Sequence, residues 1–246
     1  MRPVIEQNPA GYRYSMEPFL LADFVRPRPG DHLLEVGTGC GILPLLLLTR
    51  EPALRITALE IQESLARRAL ANVKQNAWDA QVSVLHADFL EWVERPARRA
   101  FDWVLSNPPY RKQKSGRINP DPEKALARHE IALTLEQLVA RGRGCLKPGG
   151  RMALACPLDR LEEVMRLLEG QGLQATRIRR VHGKPTSPAR FFLVQAEPAG
   201  SGRTVEADDF FIYEETGAYS AAMQAIYASF NYPGRSHRDR QKRNGG

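Results

Sequence analysis

From residue 31 onward, short apolar runs alternate with longer stretches in which apolar positions recur every three or four residues. The first pattern marks buried strands, the second amphipathic helices, and their alternation marks βαβ units around a mostly parallel sheet. The predicted parallel strands are "HLLEV" (32–36), "RITALE" (55–60), "QVSVLH" (81–86), "FDWVLS" (101–106) and "RMALACP" (151–157). Helices are predicted from Gly41 to about Arg50, over 161–169, and over 63–76, where Leu65, Ala66, Ala69, Leu70 and Val73 recur at helical spacing. A short helical run, "FLEWVE", follows Asp88. Asp121 and Pro122 open a long helix over 121–146 that stops before "KPGG".

After Gly172 the rhythm changes. Residues 173–183 and 190–198 are both strand-like, and only "KPTSPA" separates them. So short a connection requires an antiparallel hairpin, because a parallel crossover needs a dozen residues or more. A last helix is expected over 218–230.

A length of 246 residues suits one large α/β domain and leaves little room for a second. With 43% hydrophobic and 26% charged residues the chain is expected to be globular. The expected organisation is a single domain over 1–232, its first 30 residues a cap segment, and a disordered basic tail over 233–246. Five cations against Asp239 place +4 of the net +7 in that tail, which suits a polyanionic partner or simply a solvated end. The opening residues carry no apolar run behind Arg2, and Ile42 to Leu48 is too short to span a bilayer, so a cytoplasmic chain with no membrane partner is expected. Cys40, Cys145 and Cys156 share no ligand spacing, so neither disulfide nor metal site is expected.

The chemistry begins at "LLEVGTGCGILP". Gly37, Gly39 and Gly41, with Thr38 and Cys40 between them, follow the first strand and open a helix, where bare backbone lets a ligand approach. Glu60 closes the second strand and is placed to accept from ribose hydroxyls, with Ile61 beside it. The spacing is GxGxG with Glu35 ahead of it, not the GxGxxG that seats a pyrophosphate, so an acidic loop for a cationic cofactor is indicated. S-adenosylmethionine (SAM) fits that description, and NAD is the alternative. Asp88 and Phe89 follow strand three, suited to an adenine amino group and its ring face; Asp88 also suits a helix N-cap, the two roles can hold together, and with Glu60 placed the adenine role is favoured.

Asn107, Pro108, Pro109 and Tyr110 end strand four, which in doubly wound sheets lies beside strand one. An amide-like nitrogen is a poor nucleophile because its lone pair is delocalised. Accepting its two hydrogens at the Asn107 side-chain oxygen and the Pro108 carbonyl would aim the lone pair at a methyl group, while Tyr110 offers a stacking face. The prolines stiffen this loop and remove competing donors. A rigid turn around a buried tyrosine is the plain alternative.

Together "VGTGCG", the acid in "ALEIQ", "HADF" and "NPPY" resemble the class I SAM-dependent methyltransferases that modify planar nitrogens. Within them, "GYRYSMEPFLLADFV" and "ALARHE" resemble the bacterial tRNA adenine-N6 methyltransferases acting beside the anticodon of a valine tRNA, over nearly the whole chain to about Tyr232. The resemblance implies a Rossmann-like class I methyltransferase fold, a seven-stranded mostly parallel sheet with an antiparallel edge hairpin. It implies that Tyr14, Ser15 and Glu17 line the methionine end of the cofactor, that Gly37 to Gly41 hold its amino-acid moiety, and that Asn107 to Tyr110 hold the target base. Where Glu17 stands the family more often has aspartate.

NPPY also occurs in enzymes that methylate a glutamine amide of release factors, but those resemble one another in a helical domain ahead of the SAM domain, and only about 30 residues precede the first strand here. RNA, with tRNA the favoured class, is the expected partner. Arg111, Lys112, Lys114 and Arg117 follow the tyrosine, and Lys184 and Arg190 flank the hairpin, placed to meet phosphates around a flipped base or simply to be solvated. Arg177 and Arg179, on one strand face, extend the same two readings.

Overall fold

A computed structural model describes residues 3–6, 16–94, 100–107, 133–200 and 203–232. The helices, in chain order, are α1 Glu17–Phe24, α2 Ile42–Arg50, α3 Glu63–Gln75, α4 Phe89–Val93, α5 Leu135–Cys145, α6 Leu161–Gly170 and α7 Ala221–Ser229. The strands are β1 His32–Val36, β2 Arg55–Glu60, β3 Val82–His86, β4 Phe101–Ser106, β5 Leu146–Pro157, β6 Leu173–His182, β7 Ala189–Pro198, β8 Val205–Glu206 and β9 Phe210–Phe211.

The sheet runs in the order β3-β2-β1-β4-β5-β7-β6-β8, and β9 also pairs with β6. β1 to β5 are parallel neighbours, and β7 is antiparallel to both β5 and β6. The expected seven strands and edge hairpin are therefore present; two further strands of two residues each extend the outer edge beside β6. They are too short to show a period in the sequence.

Strand alternation divides the core in two. Leu33, Ile56 and Trp103 face a layer containing α1, α2 and α7, whereas Leu34 and Val104 face a layer containing α4, α5 and α6. Burial on both faces is why β1 and β4 read as near-continuous apolar runs.

Three departures from the sequence reading have local causes. The helix expected over 121–146 begins, in its described part, only at Leu135, because Thr134 and Gln137 form a capping box. Residues 121–132 lie outside the described residues. β5 starts before "KPGG" rather than after it: Leu146 pairs with Phe101, and the ladder resumes at Trp103 and Arg151 after a register shift. Helix α1 has no predicted counterpart, since Pro18 to Ala22 and Phe24 are all buried and no polar face marks a helical period.

Arginines close α1. Arg50 donates to the Ala22 carbonyl (2.9 Å), Arg177 to Phe24 (3.0 Å) and Arg26 to Val25 (2.9 Å), satisfying carbonyls that a helix end leaves without partners. Arg177 also lies 4.6 Å over the Phe24 ring. Arg50 and Arg179 share Asp23, at 3.2 and 3.5 Å. Burial, then the Arg179 and Arg26 charges, hold Arg177 below its ordinary pKa. The face of β6 carrying Arg177 and Arg179 is thus turned to α1, and Arg180 pairs with Glu206. Asp23→Ala should lower stability by about 1–2 kcal/mol, less than a fully buried pair would lose because Asp23 is 20% exposed. Thermal unfolding, compared with Asp23→Glu, measures it.

Candidate active site

The site forms where β1 and β4 end side by side. Val36 pairs with Ser106, and the Ser106 hydroxyl donates to the Val36 carbonyl at 2.8 Å, fully buried. The next residue on each strand is Gly37 or Asn107, so the strand pairing sets the glycine loop and the asparagine next to each other.

The loop is held from two sides. The amides of Gly37 and Thr38 both donate to the Leu59 carbonyl at 2.9 Å, folding the loop over the end of β2. The Gly39 amide donates to Glu60 Oε2 at 2.8 Å, and Glu60 Oε1 accepts from Gln62 at 3.0 Å. From α3, the Asn72 carboxamide donates to the Cys40 carbonyl at 2.9 Å. Gly37, Gly39 and Gly41 all have positive φ (80°, 59° and 80°), which a side chain rarely tolerates.

Between the loop, Asn107 and the start of α1 lies an open pocket, lined by Pro18, Glu35, Gly37 to Cys40, Ile42, Leu43 and Asn107. No lysine or arginine lines it among the described residues. Burial pushes the Glu35 carboxyl up to about 8; the Thr38 hydroxyl bonded to it opposes the shift, and the Glu60 charge adds to it. Burial also raises Glu60, against amides of Gln62, Gly39 and Ile61 that favour its ionised form. Burial raises the Cys40 thiol to about 12, so this cysteine serves through its backbone and not as a nucleophile.

Pro18 opens α1, so an element absent from the predicted set supplies one wall. Beside it, Glu17 Oε2 is buried with no hydrogen-bond partner among the described residues. A Cβ added at Gly37 would meet nothing within 4 Å, so that backbone faces open space. Among the described residues, a glutamate-bearing rim that no lysine or arginine lines, a carboxylate oxygen without a hydrogen-bond partner and bare glycine backbone suit an organic cation better than a phosphate.

Other expected residues stand outside this pocket. Asp88 caps α4, its Oδ1 accepting from the Leu90 amide at 2.7 Å, and Phe89 is buried in the core layer that holds Leu59. The Ile61 carbonyl bonds His86 Nε2 at 3.1 Å. Lys184 donates to the Glu215 carbonyl at 2.8 Å, and Arg190 is exposed. Tyr14, Ser15, Pro108, Pro109, Tyr110, Arg111, Lys112, Lys114 and Arg117 lie outside the described residues, as does the basic tail. Asn72 and Pro18 were missed by sequence reasoning: Asn72 belongs to no motif, and Pro18, although inside "GYRYSMEPFLLADFV", has no side-chain chemistry to single it out. Among the described residues no helix is long and apolar enough to cross a membrane.

Comparison with known proteins bears directly on this geometry. The model of the methyltransferase small domain matches residues 18–159. A tRNA1(Val) (adenine(37)-N6)-methyltransferase of Porphyromonas gingivalis is 30% identical over 224 residues, covering 88% of this chain and 87% of its own length. One of the same description from Shewanella loihica is 29% identical, with coverage of 92% and 95%. Among solved structures, a predicted O-methyltransferase from Agrobacterium tumefaciens superposes with a TM-score of 0.65 at 19% identity, covering 89% of this chain and 99% of that one, a likeness of fold.

Proposed function

Because the chain belongs to the methyltransferase small domain family, we propose that it methylates N6 of an adenine in tRNA using SAM, the target being adenine 37 of a valine tRNA as in its relatives' names. The observation that carries this reading is the junction of Glu35, the glycine loop and Asn107 in one pocket that no lysine or arginine lines among the described residues. Bound there, SAM supplies an electrophilic methyl group on a sulfonium.

The protein's own work is orientation. Glu35 and Glu17 favour the cationic end of the cofactor, the backbone of Gly37 to Gly41 lets it approach, and Glu60, Ile61, Asp88 and Phe89 are assigned to its adenosine side. With amides of Gly39, Gln62 and Ile61 on the Glu60 carboxylate, about one of its four acceptor sites is left for a ribose hydroxyl. The Asn107 carboxamide oxygen accepts one hydrogen of the target amino group, and the Pro108 carbonyl is assigned the other. Tyr110 stacks on the base. Arg111, Lys112, Lys114, Arg117, Lys184 and Arg190 are assigned to phosphates around it.

Glu35 provides a pH signature. Its folded pKa of about 8 lies above the ordinary carboxyl value of 4.5, so the stability it contributes is complete below about 4.5 and is lost as pH rises through 8. A cation beside it favours the carboxylate. SAM binding near pH 7 should therefore release a proton, and affinity should rise with pH towards 8; Glu35→Gln should abolish both effects. Calorimetry in buffers of different ionisation enthalpy counts the proton, and equal enthalpies in every buffer would remove Glu35 from this role.

Labelled SAM incubated with the protein and, separately, total tRNA, duplex DNA and a release factor tests the function. Label in tRNA at N6-methyladenosine is expected. Label in the release factor alone would replace the RNA reading with glutamine methylation.

A further inference from the structure

Residues 3–6 lie against α3 and pair with side chains instead of a strand. Asn76 accepts from the Val4 amide at 2.8 Å and donates to the Val4 carbonyl at 2.7 Å. One turn earlier, Asn72 accepts from the Glu6 amide at 2.8 Å and donates to the Glu6 carbonyl at 3.1 Å. A carboxamide carries the same donor and acceptor pair as a peptide group. Residues four apart on a helix stand about 5–6 Å apart, close to the roughly 6.8 Å between alternate residues of an extended chain. Two asparagines at that spacing therefore present α3 as two rungs of a ladder. Burial alternates accordingly: Pro3 is buried and Ile5 packs on the core, whereas Val4 and Glu6 are exposed.

Asn72 makes one bond more, to the Cys40 carbonyl, and is only 1% exposed. One side chain thus joins the N-terminal segment to the loop that lines the pocket. A buried amide that loses one partner is left with an unsatisfied donor or acceptor, so each of the three bonds favours the side-chain position that the other two need.

We infer that Asn72 is a positioning residue that couples docking of residues 3–6 to the cofactor loop, so that SAM binding and N-terminal docking strengthen each other. This rests on the pocket being the SAM site. Coupling between two binding events is reciprocal: if the clasp shapes the loop for the cofactor, the cofactor must tighten the clasp. A merely structural asparagine has no such consequence.

The test uses the full chain and S-adenosylhomocysteine (SAH) as probe. Calorimetry should show SAH binding about tenfold weaker in Asn72→Ala, the loss of one hydrogen bond that holds the binding conformation. Asn76→Ala, which releases Val4 but keeps the Cys40 bond, should weaken it less. In the wild type, SAH should slow hydrogen exchange at the Val4 and Glu6 amides, and in Asn72→Ala it should not. Equal affinity of wild type and Asn72→Ala would overturn the coupling and leave the SAM site standing. So would unchanged exchange at Val4 and Glu6 on adding SAH to the wild type, a measurement that needs no variant to fold. A wild type that binds no SAH would sink the SAM reading and the coupling with it.

Discussion

Asn107→Ala is expected to slow methylation roughly 10²–10³-fold, the usual loss when one preorganised hydrogen-bonding group is removed from a reacting centre, while SAH affinity changes no more than a few-fold. The target nitrogen must present a lone pair that its ring would otherwise delocalise, and an acceptor fixed at one hydrogen does this without titrating. Asn107 is suited to be that acceptor because its backbone is fixed: it leaves β4 directly after Ser106, whose hydroxyl is bonded to Val36. The residue also lines the pocket that holds the glycine loop, so the proposed acceptor and the proposed cofactor site are neighbours by strand pairing. Single-turnover methylation of tRNA and calorimetry with SAH separate the two effects. Equal loss of rate and affinity would make Asn107 a cofactor ligand only.

Gly41→Val is expected to cost about 3 kcal/mol, combining left-handed strain of about 1–2 with overpacking of about 1–3. Its φ of +80° is hostile to a β-branched side chain, and an added Cβ would stand 3.2 Å from Ala69 Cβ and 3.3 Å from Ala69 Cα. Backbone on α3 cannot yield as a flexible side chain would. A melting point lower by roughly 10 °C should follow, together with loss of SAH binding, because the displaced loop includes Cys40. Gly37→Ala provides the contrast. Its φ is also +80°, but nothing lies within 4 Å of the new Cβ, so stability should fall by only about 1 kcal/mol while the methyl intrudes on the pocket. Thermal unfolding and SAH titration of both variants decide whether Gly41 is kept for helix packing and Gly37 for the ligand; a reversed order would refute that division.

The parallel core was legible because short apolar runs alternate with longer helical stretches at βαβ spacing: β1 to β4 begin and end within a residue of their predicted bounds. The hairpin was legible from the shortness of "KPTSPA", a constraint of chain length alone. Helix α1 was not, since a helix buried on all sides has no polar face to set a period. The start of α5 was open to reading, in Thr134 and Gln137 at capping-box spacing, but the longer apolar pattern behind it masked the signal.

The site divides in the same way. Gly37, Gly39 and Gly41 announce themselves because positive φ is a property of single residues. Asp88 shows the limit: the sequence allowed an adenine ligand and an N-cap together, and the cap bond to Leu90 that the structure shows, with Phe89 in the core, is compatible with the adenine role proposed for it. Arg177 and Arg179 are plainer still, their partners Phe24 and Asp23 lying more than 150 positions earlier in the chain.

By itself, then, the sequence determined the order of the seven main strands with the helices between the parallel ones and the glycine loop with its acids, and it pointed to the planar nitrogen proposed for Asn-Pro-Pro-Tyr. Each of these is written in residues close together, where dihedral preference and periodicity act. Only the tertiary structure decided that Pro18 walls the pocket, that Asn72 joins residues 3–6 to the Cys40 carbonyl, and that the β6 arginines close a helix. Those outcomes depend on which groups meet when segments up to 156 residues apart are packed together, and hydrogen-bond partners chosen across such distances leave no local pattern.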